Sequence, residues 1–348
     1  NGNELKKATL TLKGSIPLAD TMLADSGHTI EVGGTPYPYG TKDLKTDAEG
    51  KVYFWLPANT YDITLMSEAG DVYTKDYVVI TNADGEATLM GPTYETYLRR
   101  AADKGGEYKL PVDFDGSPSN DPSLTSELSI NKDFILDLNG HNLTINIYGS
   151  KGINIAPGVT FTIKDSSTPS AGKLIVNNKY GGPGISTTDA KLIIEGGTVT
   201  AVGYWSSAGI GGYDGEDNGI VEIRGGTVNA TGGDFAAGIG GGSYGRGGTV
   251  KISGGIVNAT GGRGCPGIGA GYAVAGSYVE ITGGTVIATG TVYESYSYVD
   301  IGSPYYATKN DTLKISGGSV NAKKIINNEY VSPKAADGTT TVYLVILT

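Results

Sequence analysis

The chain has 348 residues and a formal net charge of −10; 39% of it is hydrophobic, 56 residues are glycine and one is cysteine. That length exceeds what one core usually organises, so two domains are expected. Glycine stands at roughly twice the usual ~7%, yet no Gly-X-Y period exists and Val and Ile recur regularly, which excludes collagen and disorder. The acidic balance without a basic cluster excludes nucleic acid and anionic membranes as expected partners, the lone Cys265 excludes an internal disulfide framework, and no apolar run approaches the ~20 residues of a membrane span.

The 23 tyrosines against 5 phenylalanines place aromatic rings with a polar tip at surfaces. The abrupt opening at Asn1-Gly2 reads as that of an excised fragment.

Residues 1–91 carry strand-like runs: Ala8-Thr9-Leu10-Thr11-Leu12, Val52-Tyr53-Phe54-Trp55-Leu56, Tyr61-Asp62-Ile63-Thr64-Leu65 and Tyr77-Val78-Val79-Ile80. Turn chemistry separates them at Gly33-Gly34, Asp47-Ala48-Glu49-Gly50, Pro57-Ala58-Asn59 and Asn82-Ala83-Asp84-Gly85. Short alternating strands at this spacing predict a small Ig-like β-sandwich. The stretch from Thr46 to Tyr61 resembles collagen-adhesin B-type and transthyretin-like modules of bacterial surface proteins. That resemblance implies a Lys–Asn isopeptide bond in some members. Lys6 or Lys7 with Asn82 are the candidates here, although the Glu-x-x-Ala-Pro segment expected between them is missing. Polar residues at exposed strand ends are the alternative.

Residues 93–104 predict one helix, with Thr93 as its cap, Pro92 before it and Gly105-Gly106 after it. Tyr94, Tyr97, Leu98 and Ala101 share a face at helical spacing, while Arg99 and Arg100 are expected to face solvent. A short amphipathic helix at this place covers the open end of an apolar core. The run Leu136-Asp137-Leu138-Asn139-Gly140-His141-Asn142-Leu143 after it, then Val159-Thr160-Phe161-Thr162-Ile163 and Gly172-Lys173-Leu174, resembles the entry coils of right-handed parallel β-helix domains of the pectate-lyase-like superfamily. The likeness covers about residues 93–330. It implies an all-β fold, a right-handed parallel β-helix over 92–333 behind the small sandwich. It does not imply an activity, because that fold hosts lyases, hydrolases, adhesins and binding modules.

Independently of the resemblance, Gly196-Gly197-Thr198-Val199 recurs as Gly225-Gly226-Thr227-Val228, Gly254-Gly255-Ile256-Val257, Gly283-Gly284-Thr285-Val286 and Gly317-Gly318-Ser319-Val320, at intervals of 29, 29, 29 and 34 residues. Gly209-Ile210-Gly211, Gly238-Ile239-Gly240, Gly267-Ile268-Gly269 and Asp300-Ile301-Gly302 keep step. Two markers at one period predict a solenoid whose repeats bury their apolar faces only by stacking. Each coil reads as three short strands. Ile210 and its equivalents point inward from the first, Val221 and Ile223 from the second, Val228 and Ala230 from the third.

Outward positions form columns. Glu222, Lys251, Glu280 and Lys314 alternate in sign, so each coil is expected to pair with the next. Arg224 beside them reads as solvated. Asn229 and Asn258 match glycosylation sequons as Asn-Ala-Thr, or stack as a structural amide column. The glycines flanking the first-strand Ile read either as a tight corner under packed loops or as a smooth bed for a glycan or another chain. Cys265 aligns with Ala236 and Ser207 and reads as a small packed residue.

For chemistry, Asp214, Glu216 and Asp217 lie in one turn and form a candidate calcium site, since Ca²⁺ takes several hard oxygens; a solvated acidic loop is the alternative. Arg246 and Arg263 read as sitting on different corners. No two acids align on adjacent coils at the ~5–9.5 Å that glycoside hydrolysis needs. His28 and His141 have no evident partner and read as structural. Aromatics crowd the turns: Tyr204, Trp205 and Phe235 on one, Tyr213, Tyr244 and Tyr272 on another, and Tyr293, Tyr296, Tyr298, Tyr305 and Tyr306 on the lengthened coil. They read as sugar-binding platforms or as seals of the core.

The expected function is that of a non-catalytic carbohydrate-binding or adhesion module of an extracellular bacterial surface protein, a Gram-positive one. Its expected partner is a polysaccharide or host glycan, met as a monomer within a longer chain. The alternatives are a polysaccharide lyase or glycoside hydrolase, and a structural spacer. Residues 334–348, ending Val342-Tyr343-Leu344-Val345-Ile346-Leu347-Thr348, are similar to Lys7–Leu12 and are expected to start a following β-module.

Overall fold

The computed structural model describes residues 5–13, 23, 29–32, 35–38, 45–68, 71–80, 85–116, 123–149, 151–292, 299–304 and 311–322. His28, Asn82, Tyr293, Tyr296, Tyr298, Tyr305, Tyr306 and the segment 334–348 lie outside them. The chain divides into two compact units, Asn1–Tyr97 and Leu98–Thr348.

In the first unit a five-stranded sheet runs in the order Lys51–Pro57, Leu5–Lys13, Gly85–Met90, Val72–Ile80, Asn59–Met66. The four runs read from the sequence all lie in it. Gly85–Met90 is an addition, and it pairs parallel to the first strand. Alternation drives one face inward: Ala8, Leu10, Val52, Phe54, Tyr61 and Ile63 belong to one buried cluster. A separate ribbon pairs Thr29–Val32 with Thr35–Pro38 antiparallel. The predicted turn at 47–50 closes because the Asp47 carboxylate accepts the backbone N–H groups of Glu49 at 3.0 Å and Lys51 at 2.8 Å.

In the second unit three parallel sheets of eight, seven and seven strands form a parallel β-helix. The first sheet stacks Leu128–Ile130, Ile153–Ile155, Ile185–Ser186, Ile210–Gly211, Ile239–Gly240, Ile268–Gly269 and Ile301–Gly302. The second runs from Gly106–Lys109 to Thr312–Ile315 and the third from Asn142–Ile147 to Ser319–Asn321. Three strands per coil and their inward residues match the sequence reading. In the second sheet the register is unbroken from coil to coil, so one column holds Leu136, Ile163, Ile194, Ile223, Ile252, Ile281 and Ile315. Another holds Ile185, Ile210, Ile239, Ile268 and Ile301, all fully buried. A one-residue slip would turn each of these side chains to the opposite face, which is why register is so strongly specified.

The helix spans Tyr94–Lys104. Thr93 Oγ1 accepts the Thr96 N–H at 3.3 Å, and Gly105, at φ 81, ends it. Its buried face is Leu98 and Ala102 rather than the Tyr94–Tyr97–Leu98–Ala101 face expected. Arg99 does not simply face solvent: its guanidinium donates to the carbonyls of Ser126 and Glu127. Asn131 donates to Asp103, and the Gly106 N–H to the Asp133 carbonyl. The C-terminal part of the helix is therefore tied to the segment 126–133, where the stack of the second unit begins.

Candidate functional site: the aromatic loop rows

The first-sheet strands from residue 185 onward are only two residues long, about 7 Å at strand rise, so the loops entering and leaving each of them lie close together. Those loops close over the strand. The Ser243 N–H donates to the Ser206 carbonyl at 2.9 Å and the Tyr272 N–H to the Phe235 carbonyl at 3.0 Å. The glycines beneath are buried. Gly211, Gly240 and Gly269 have φ near 145°, 142° and 146°, and a Cβ on each would strike the carbonyl of the next coil's glycine. This favours the tight-corner reading over the smooth bed: the row is buried and backbone packs on backbone there.

The same closure brings together aromatics that the sequence placed on separate turns. Phe235 meets Tyr272 edge-on at 5.2 Å, and Tyr272 meets Tyr244 at 5.9 Å. One coil toward the N-terminus, Tyr204 and Trp205 lie 6.5 Å apart. Trp205 is 70% exposed, Tyr244 59% and Tyr204 42%. Trp205, Phe235 and Tyr244 all adopt left-handed backbone, at φ 53, 64 and 60. For residues other than glycine that conformation costs roughly 1–2 kcal/mol; at the places of Tyr244 and Phe235 the neighbouring coils hold Gly215, Ala273 and Gly264 at φ 75, 61 and 71, so there it belongs to the turn of the repeat. A pocket of about 300 Å³ opens beside them, lined by Tyr180, Tyr204, Trp205, Ser207, Tyr213 and Asp214.

Sequence reasoning named Tyr204 and Trp205 for this surface and missed Tyr180, which is 74% exposed. Pairing Ile185 with Ile210 sets Tyr180 level with Trp205 on the preceding coil. The signal was there in Gly184-Ile185-Ser186, where a serine replaces the second marker glycine and the coil is 25 residues long rather than 29.

The acidic turn does not assemble as a metal site. Glu216 pairs with Lys151 at 3.4 Å and accepts the Thr188 hydroxyl at 2.9 Å, while Asp217 accepts the Arg246 N–H at 2.7 Å. Among the described residues no three His, Cys, Asp or Glu side chains gather where one ion could bind them. Asp214 points to a different use, since it lines the pocket.

Elsewhere the columns are structural. Asn258 donates to Asn229 at 2.9 Å, and Asn177 to Asn146 at 3.1 Å, so the amides stack as a ladder. Glu222, Lys251, Glu280 and Lys314 are in register, but they do not pair along the column. Glu222 binds Lys191 at 2.7 Å and Arg224 at 2.8 Å, and Arg224 also binds Glu195 at 2.9 Å, so Arg224 is a bridge rather than a solvated position. The Lys191 contact, with that of Arg224, holds the Glu222 carboxyl below its ordinary value against the opposing effect of burial. His141 has a partner after all, its Nδ1 lying 3.3 Å from Asp113. Cys265 is fully buried, and burial pushes its thiol far up, which removes it as a nucleophile.

Four stretches, 192–215, 221–243, 250–272 and 279–297, match the model of a family described as Beta helix repeat. No curated protein and no solved structure matches the chain. The family match and the three stacked sheets agree on a parallel β-helix built from repeats.

Proposed function

We propose that this chain is a non-catalytic glycan-binding or adhesive module, working outside the cell as part of a bacterial surface protein, and that its aromatic loop rows hold a saccharide chain. The observation that carries this is the strained, 70%-exposed Trp205 beside Tyr204 and Tyr180 at the mouth of the pocket. Ring faces of this kind bind the C–H faces of sugars, and extended solenoid surfaces suit long ligands. Coils stack about 4.8 Å apart, so Tyr180 and Trp205 on two successive coils present ring faces along which a saccharide chain runs parallel to the stack. Asp214 is the sole carboxylate among the six residues named for the pocket, whereas glycoside hydrolysis takes a facing pair.

A glycan array read in parallel with a reducing-end assay tests this. Binding without release of new ends, lost in Trp205→Ala, is the expected result. Release of new ends would replace the binding module with an enzyme, and silence in both would leave a spacer.

A further inference from the structure

We infer that the pocket takes a sugar unit bearing no negative charge, a neutral or amino hexose, with Ser207 and Asp214 setting that choice. The inference rests on the glycan-binding proposal and deepens it. Ser207 is 1% exposed and its hydroxyl has no hydrogen-bond partner. Three buried hydroxyls among the described residues share that condition, Ser186, Ser207 and Ser277, and Ser207 is the one that lines the pocket. A buried unpartnered hydroxyl is destabilising, so a structural reason for it would be expected. None exists in the repeat: the same coil position holds Ala236 and then Cys265, both fully buried. The fold accepts an apolar residue there, so packing does not require the hydroxyl, and Ser207 is the one of the three on the pocket wall.

Asp214 supplies the second term. It is exposed and lines the pocket. Its neighbours in the turn are already engaged, Glu216 by Lys151 and Asp217 by the Arg246 N–H. No Lys, Arg or His lines the pocket among the described residues. A uronate or sulfated sugar would bring an anion next to a carboxylate with no cation to receive it, on a chain already at −10. A carboxylate instead accepts hydroxyl or ammonium donors from a sugar. Tyr180, Tyr204 and Trp205 offer ring faces, and Ser207 offers one polar anchor, so the pocket fits a ring that bears hydroxyl or ammonium donors and no anionic group.

The test is affinity of the full chain for matched hexose, hexosamine and hexuronate oligosaccharides, with Ser207→Ala, Asp214→Asn and Trp205→Ala alongside. The expected result is hexuronate binding at least tenfold weaker than hexose. Asp214→Asn should shrink that gap about tenfold. Ser207→Ala should lose about tenfold in hexose affinity, the equivalent of one hydrogen bond, with its thermal midpoint no lower than that of the parent. Equal or tighter hexuronate binding that Trp205→Ala abolishes would overturn this inference and leave the glycan-binding proposal standing. Unchanged hexose affinity in Ser207→Ala would remove Ser207 from it, and no binding of any of the three classes would overturn both.

Discussion

The first-sheet strands and the loops flanking them belong to one repeat, yet they vary in opposite ways. Ile210, Ile239, Ile268 and Ile301 are the same residue on four coils, each fully buried. In the loop six residues or fewer before them, Tyr204 gives way to Gly233 and Gly262, Trp205 to Asp234 and Arg263, and Ser207 to Ala236 and Cys265. At Gly211, Gly240 and Gly269 the strands pack backbone on backbone, and a Cβ there would strike the next coil. Trp205, Asp234 and Arg263 face solvent, where exchange costs little, while the buried place of Ser207 takes only small residues. Repetition therefore marks what the fold demands, and departures from it mark where a function can be written.

The largest expected effect comes from breaking the repeated part. Gly240→Val forces a branched side chain onto φ 142 and against the Gly269 carbonyl. It should cost more than about 4 kcal/mol, abolishing the cooperative thermal transition of the second unit. A Val variant that melts within a few degrees of the parent would show that the corner relaxes and that backbone contact does not enforce the repeat.

A smaller loss is expected at the entry coils, where a side chain replaces backbone as the organiser. Asp165 accepts hydrogen bonds from Ser170 at 2.8 Å, the Gly172 N–H at 2.7 Å, the Ser167 hydroxyl at 2.8 Å and the Gly140 N–H at 2.8 Å. Burial on its own would raise its pKa, but those donors together lower it from 3.8 to about 2. A depressed folded-state value means the stabilisation is fully present above pH 3.8 and is lost as the pH falls toward about 2. Asp165→Asn should cost about 1–3 kcal/mol at neutral pH. Its stability should also fall less steeply than the parent's across that acid window. Parallel acid profiles for the two proteins would remove Asp165 as the cause.

How far the sequence alone could reach follows the same division. The solenoid, its three strands per coil and the inward Ile and Val columns were legible because register copies one residue type to the next coil. The two-residue strand was legible too, but its consequence was not: loops read as separate corners meet, and Phe235, Tyr244 and Tyr272 become one cluster. Periodicity carries no information about chain that folds over its own strand. Tyr180 was hidden for a simpler reason, a coil shortened from 29 to 25 residues that puts it out of step. The charge column misled because register was taken for pairing. Arg224 competes for Glu222 from two residues along the chain, just past the end of the strand Ile220–Ile223, and Lys191 does so from the coil before.

That competition yields the smallest expected effect, and it sharpens the contrast from the side of the solvent-facing strands. The Glu222 side chain is 17% exposed, while Lys191 and Arg224 are 32% and 46% exposed, so solvent screens the triad. Glu222→Gln should cost about 0–1 kcal/mol at low salt. The difference should fade toward zero near 1 M salt, where the screening length drops to about 3 Å. Because Lys191 and Arg224 hold the Glu222 carboxyl below its ordinary value of 4.5, whatever it contributes is present above that pH and lost beneath it. Denaturant titrations of parent and variant at both salt levels read this directly. A loss of several kcal/mol that salt leaves unchanged would mean that the second sheet depends on its outward charges as the first depends on its glycines, and the line drawn between enforced and free positions would have to move.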